Sequence, residues 1–590
     1  MAEKIVSPGV FTRENDLSFL PAGIGEIGAA IVGPTVKGPV LVPTTVSTYA
    51  EYVEKFGDTF QSGSDYYQFL TSHTAERYLE FGGALTVVRI AGQNFSVATA
   101  SVATSSAAVT DGGKVFTLHT LSHGDILNSD TNGTVSEGTN NLLPDGTKDN
   151  LRYEITGKND STGTFNVLIR RGDDTKNNKV ILEQFNQVSL DPNQPNYIAK
   201  AIGDSFFQIQ GSGTADPYIQ AVGDYEARSS FVRVQVHKQT VNYLDENGDI
   251  RDSDASGSLP ANGSGSLGGA FGGGADGDTV SGARMYYENI TSLNSQGYDL
   301  NDLSNTNGGT AYADALQLLA NQDFYDINML LVPGANQNQH AAVVNKAIQV
   351  CEDRGDCFAV VDPVPYNTST LSTVTGEASD YNSSYAAMYW PWVKIADNQL
   401  GKNVWVPPSV VMPGVISFND SIAAEWFAPA GLNRGGITAI RAERNLTHSN
   451  RDELYEGRIN PIATFPGVGV CAFGQKTLQK RASALDRINV RRLLINLKKF
   501  IASTSKFLVF ENNTNATRNR FLSAVVPYME EVQANQGLFA FKVVMDTTNN
   551  TPEVIDRNIL KGDIFLQPAK AAEFIVIDFN VLPTGATFGD

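Results

Sequence analysis

The sequence predicts a multidomain chain of mixed α/β and α+β class. A β-rich insertion interrupts an α/β body, and an α+β C-terminal domain with extended terminal arms completes it. Three observations carry this expectation. Strand–helix–strand patterns occur before residue 95 and again after residue 284, the order that builds a parallel sheet with crossover helices. The stretch between them is rich in Ser, Thr, Asn, Asp and Gly and holds short alternating strands. Residues 456–590 return to long helices mixed with strands. At 590 residues and 41% hydrophobic, the chain can bury several separate cores.

In chain order, residues 1–20 read as an arm. Ile5, Val6, Val10 and Phe11 flank Ser7-Pro8-Gly9, strand-prone but without a local partner. The α/β body takes residues 21–95 and 285–455. Its first half holds an apolar strand from Ile27 to Gly33, a helix from Ser47 to Phe56 with Ser47 as its cap, a helix from Asp65 to Phe81, and a strand from Leu85 to Ile90. Its second half holds a helix from Ala311 to Ala320, a strand from Ile327 to Val332, an amphipathic helix from His340 to Glu352, and a strand from Phe358 to Val361. The insertion spans residues 96–284, with Val232, Val234 and Val236 on one strand face. Within it, residues 255–282 contain ten Gly, two Asp and no Lys or Arg, which predicts a flexible loop. The C-terminal domain, residues 456–590, predicts helices at 484–502 and 515–535 and strands at 506–510, 538–545, 562–567 and 574–581.

The net charge of −19 argues against nucleic-acid binding, which calls for a basic face. An acidic balance keeps concentrated subunits apart before assembly. The insertion is acidic in itself, with 14 Lys/Arg against 23 Asp/Glu. Cys351, Cys357 and Cys471 form no Cys-x-x-Cys pair, which points to a reducing compartment. The first residues lack a signal-peptide apolar core, and no apolar run reaches the ~18 residues of a membrane span, so neither secretion nor membrane insertion is expected.

Five segments, in order, carry a resemblance: Ala30-Ile31-Val32-Gly33-Pro34-Thr35-Val36-Lys37-Gly38-Pro39; Ser384 to Val393 followed by Val406-Pro407-Pro408-Ser409; Trp426 to Gly435; Ile459-Asn460-Pro461-Ile462 running to Phe473-Gly474-Gln475-Lys476-Thr477-Leu478; and Ile488 to Leu494. Together they resemble the contractile bacteriophage (myovirus-type) tail sheath family, over roughly residues 1–95 and 285–590. The insertion has no such match. The resemblance implies a subtilisin-like sheath core, a protruding insertion and an inner, tube-facing C-terminal domain. It implies a homo-oligomeric helical sheath around a tail tube protein, meeting baseplate and tail terminator proteins, in a virion tail assembled in the host cytoplasm. It also implies contraction from an extended, metastable state.

Charge placement adds a reading of its own. From Lys476 to Lys506 nine basic residues face Asp486 alone, a net of +8 that leaves −27 on the rest of the chain. Wound as a helix at ~100° per residue, Lys480, Arg491 and Lys498 fall within about 40° of Arg487, and Arg481, Arg492 and Lys499 fall near 120–140°. Val490, Leu493, Leu494, Leu497, Phe500 and Ile501 take the other side. A solvated face is the plain alternative. Like charges at Arg487 and Arg491 repel at i,i+4, and the resemblance places this domain on the inner wall, so the basic face is expected to meet an acidic tube. The terminal arms are expected to join sheets of neighbouring subunits through Ile5, Val6, Val10, Phe11, Phe574, Val576, Asp578, Phe579 and Val581, because an unpaired strand seeks a sheet edge.

Catalysis is set aside. The six histidines (His73, His119, His123, His237, His340, His448) offer no ordered triad, and no Gly-x-Ser-x-Gly elbow occurs. Gly23 to Gly28 and Gly263 to Gly268 match a dinucleotide pattern without the helix it needs. Asp245, Asn247 and Asp249 begin like a calcium loop, but Ile250 stands where Gly is required. Cys351 and Cys357 alone make no metal site. No cofactor is therefore expected. The other functional readings are a sheath of a related contractile machine, such as an R-type bacteriocin or a secretion system, and a static surface-array protein.

Overall fold

The structure is a computed structural model that describes residues 28–104, 113–130, 138, 140–251, 257–261 and 269–575. Its described residues divide into two compact units, residues 28–495 with 570–575, and residues 496–569.

The first unit is built on an eight-stranded sheet. It begins with β1 (Gly28–Gly33), β2 (Thr44–Val46), α1 (Tyr49–Phe56), the hairpin β3 (Thr59–Ser62) and β4 (Asp65–Gln68), α2 (Leu70–Leu79) and β5 (Leu85–Arg89). Two details differ from the sequence reading. The cap of α1 is Thr48, which accepts the Glu51 amide, while the Glu51 carboxylate reaches back to Ser47. Residues 65–68 are a strand rather than helix, because Thr59–Ser62 pairs with them across a turn with Gly63 at φ 67°. Gly38, in the first resembling segment, has φ 111°, and a side chain there would meet the Phe56 ring at 2.6 Å, so glycine is needed twice over.

The insertion follows: β6 (Val97–Ala103), β7 (Lys114–His123), β8 (Leu151–Asn159), β9 (Thr164–Arg171), β10 (Ile181–Ser189), the short α3 (Ile198–Ile202), β11 (Phe206–Gln210), β12 (Tyr218–Val222) and β13 (Val232–Val236). Strands β6, β7 and β13 form one sheet, and β8, β9 and β10 another, enclosing a core that includes Phe116, Phe165, Ile169 and Val234. The expectation of a flexible loop over 255–282 fails for its described part. Phe271 is buried in this core, Gly272 exchanges both backbone bonds with Thr99, and the Tyr153 amide donates to Gly269. Glycine there lets the backbone lie against neighbouring strands, and one buried aromatic fixes it.

The chain then completes the sheet through α4 (Gly309–Leu318), β14 (Ile327–Asn336), α5 (Gln337–Arg354), β15 (Phe358–Asp362), α6 (Leu371–Ser379), β16 (Ala386–Trp390), β17 (Val393–Asp397), β18 (Lys402–Val406), α7 (Pro408–Ile422), β19 (Arg441–Ala442), α8 (His448–Glu456), β20 (Ile459–Phe465) and β21 (Gly469–Ala472). The strand order is β2-β5-β1-β14-β15-β16-β20-β21, parallel except at its two ends. Side-chain alternation sends Ile31, Val87, Leu331, Val360 and Tyr389 into one core and Val32, Val88, Leu330, Val361 and Met388 into another on the opposite face. Because β20 and β21 extend this sheet, the boundary expected at residue 456 lies later in the chain.

The insertion joins this body at a charged junction. The buried Arg89 donates to the Gly38 and His123 carbonyls at 2.8 and 2.7 Å and to Asp276 at 3.0 Å, and Arg284 grips the other Asp276 oxygen at 3.0 Å. The two crossings lie side by side, since Ser96 and Ala275 exchange both backbone bonds.

A single helix, α9 (Ile488–Lys506), runs out of the first unit's residues into those of the second. The second unit also holds α10 (Asn515–Ala534), β22 (Leu538–Val544), α11 (Pro552–Asp556) and β23 (Asp563–Pro568). Phe521, Val525, Met529 and Val532 line the buried face of α10, and the Phe500 and Tyr528 rings stack at 3.8 Å. The strand expected at 506–510 is absent: α9 continues to Lys506, and Phe507–Phe510 turn away, with Phe510 exposed at φ 70°. Strands β22 and β23 pair only with each other among the described residues.

Candidate functional site

The basic face expected over Lys480, Arg481, Arg487, Arg491, Arg492, Lys498 and Lys499 is not one face. Helix α9 begins only at Ile488. Lys480, Arg481 and Arg487 therefore precede it, in a loop closed by a bridge between Lys476 and Arg487 and a short turn capped by Ser483. Lys480 and Arg481 are exposed.

The arginines on the first turn of α9 point into their own subunit. Arg491 is buried, stacks over the Tyr385 ring at 4.1 Å and donates to the Ser384 hydroxyl. Arg492 is buried and forks onto both carboxylate oxygens of Asp420 on α7. Burial opposes the Arg492 charge, but Asp420 more than offsets it and holds the guanidinium above its ordinary value. Arg491 has no such acid among the described residues, and burial lowers it. The i,i+4 repulsion with Arg487 is avoided because each arginine has a separate partner. Farther along α9, Lys498 is exposed and Lys499 buried.

Four of the five segments that carry the resemblance converge here, all but Ala30 to Pro39. The Asn460 side chain donates to the Met388 and Lys476 carbonyls at 3.1 and 2.8 Å and accepts the Lys476 amide at 2.6 Å. The Ile488 amide donates to the Gln475 carbonyl, which seats the start of α9. Asn489 reaches the Trp426 carbonyl at 3.3 Å.

Arg487 is spent on an acid that the sequence reading missed. Its Nε and Nη2 donate to the two carboxylate oxygens of Glu573 at 2.6 and 3.0 Å. The Tyr455 hydroxyl adds a bond of 2.9 Å and the Gln475 amide one of 3.0 Å. Lys476 sits over the Tyr455 ring at 4.2 Å and donates to its carbonyl. Burial alone would raise Glu573, but Arg487, Tyr455 and Gln475 bring it below its usual range. The next residues, Phe574 and Ile575, are 80% and 81% exposed. Of the arm residues, Phe574 is thus placed, whereas Ile5, Val6, Val10, Phe11, Val576, Asp578, Phe579 and Val581 lie outside the described residues. The signal for Glu573 was its position, an acid directly before a strongly β-prone run.

Two buried acid sites lie elsewhere. Asp362, at the end of β15, accepts the Ser409 amide at 2.9 Å and its hydroxyl at 2.5 Å, and so caps α7 after Pro407-Pro408. Burial pushes Asp362 up to about 7, against the hydrogen bonds from Ser409. His73 lies 3.6 Å from Asp397, and burial depresses it to about 3. Cys351 and Cys357 are buried with their sulfurs 3.2 Å apart. No helix among the described residues is long and apolar enough to cross a membrane.

Comparison with known proteins matches residues 307–478 to the phage tail sheath protein central domain and residues 481–581 to the phage tail sheath C-terminal domain. The chain is similar to the tail sheath protein of Vibrio phage KVP40, at 38% identity over 35% of this chain and 31% of that one. It is similar to the tail sheath protein of Enterobacteria phage T4, at 31% identity over 47% of this chain and 45% of that one. These matches span less than half the length of either relative. In fold, it is similar to the crystal structure of a sheath tail protein from Listeria innocua, with a TM-score of 0.51, 12% identity and 90% of each chain covered.

Proposed function

The chain belongs to the phage tail sheath family, and from that premise we propose that it is the structural subunit of a contractile tail sheath. Copies polymerise as a helical sheath around the tail tube in an extended, metastable state, in contact with baseplate and terminator proteins. Contraction drives the tube through the host envelope. The observation that carries this reading is the pair of adjoining sheath domains, central and C-terminal, over residues 307–581.

The terminal segments couple the copies. A strand donated by one copy finds, on the β22–β23 pair of the next, edges that are unpaired among the described residues. Exposed Phe539 and Phe565 offer that hairpin's apolar surface. Grip on an acidic tube falls to the exposed Lys480 and Arg481, since Arg487, Arg491 and Arg492 hold their own subunit together. Exposed ion pairs contribute ~0–1 kcal/mol each, weak enough to part on contraction.

Electron microscopy of the purified full chain tests the reading. Hollow helical tubes are the expected result, and flat sheets or monomers at high concentration overturn it.

A further inference from the structure

A coupling strand transmits force only if its own root is held. The C-terminal segment leaves β23 at Pro568 and runs without regular structure through residue 575. Along that stretch one side chain is held from several sides. Glu573 takes four hydrogen bonds from three residues far apart in sequence: Arg487 ahead of α9, Tyr455 at the end of α8, and Gln475 after β21. A two-pronged arginine–carboxylate pair fixes orientation as well as position. Immediately beyond it, two large apolar side chains stand in solvent. A subunit complete in itself has no use for that arrangement.

We infer that Glu573 is the positioning residue of the intersubunit coupling: it clamps the root of the C-terminal segment to the body of its own subunit, so that the chain from Phe574 onward is presented in a fixed direction to a second copy of this chain, on which it docks as a strand. The inference rests on the donated-strand reading above. Pinning the root raises the effective concentration of the strand at its partner's edge and lowers the ordering cost of docking. It also passes tension to a rigid sheet instead of a slack tether.

The test uses the full chain with a nitroxide at Ile575→Cys, selective because the three native cysteines are buried. In dilute monomer the label is expected to be restrained. In Glu573→Ala it becomes mobile, with a rotational correlation time at least ~3-fold shorter, and the concentration needed for polymerisation rises about 10-fold. Glu573→Gln, which keeps the shape and part of the bonding, falls between the two. Thermal melts of all variants stay close to the parent. An unchanged line shape or an unchanged polymerisation threshold in Glu573→Ala overturns the clamp. A chain ending at residue 573 isolates the underlying reading: if it polymerises like the parent, the donated strand is refuted whatever the label shows.

Discussion

At the scale of single residues, basic side chains of one stretch do opposite jobs according to what their loops and helices bring near them. Arg492 and Asp420 form a mostly buried pair, so removing one partner strands the other. Arg492→Ala is expected to lose about 3–5 kcal/mol in urea unfolding. Lys480→Glu and Arg481→Glu, on exposed side chains, should stay within about 0.5 kcal/mol. Asp362 sets a pH dependence of its own. Its folded value of about 7 lies above an ordinary carboxyl, so its contribution to stability is fully present below the unfolded value and lost as pH rises through 7. Asp362→Asn should remove that loss: the parent weakens between about pH 4 and 7, by up to ~4 kcal/mol, and the variant does not. Unfolding at pH 5 and pH 8 measures the difference.

At the scale of elements, sequence periodicity revealed most of what packing then used. The apolar runs at 27–33, 85–90, 327–332 and 358–361 are adjacent parallel strands, because a strand buried on both faces must be apolar throughout. The hairpin at 59–68 and the turn at 507–510 were misread for one reason: pairing with a neighbour, not local preference, decides whether a β-prone stretch becomes a strand. The described part of the Gly-rich segment departs from the expected loop because composition counts glycines and overlooks one Phe. Phe271→Ala tests this, with an expected cost of about 3–5 kcal/mol to the insertion, read by its own melting transition. The basic wheel failed because helical winding was carried back through Lys480, eight residues before the helix begins. Arg487 pairs locally with Asp486, but its two-pronged bond to Glu573 and that of Arg492 to Asp420 span separations that no local pattern encodes.

At the scale of the molecule, the chain leaves its central sheet after β5, builds a third core, and comes back beside its point of departure. Ser96 and Ala275 are paired through their backbones, and Arg89 with Arg284 secures Asp276 at the same place. Replacing residues 97–274 by an Asn-Gly turn should therefore leave the eight-stranded sheet folded, with circular dichroism showing a cooperative melt; a molten product refutes that independence. Such a junction has a consequence for descent. Gene segments encoding unrelated insertions can be exchanged at this one doorway without disturbing the machinery beneath. A lineage can therefore exchange this segment in one recombination event while inheriting the eight-stranded sheet intact.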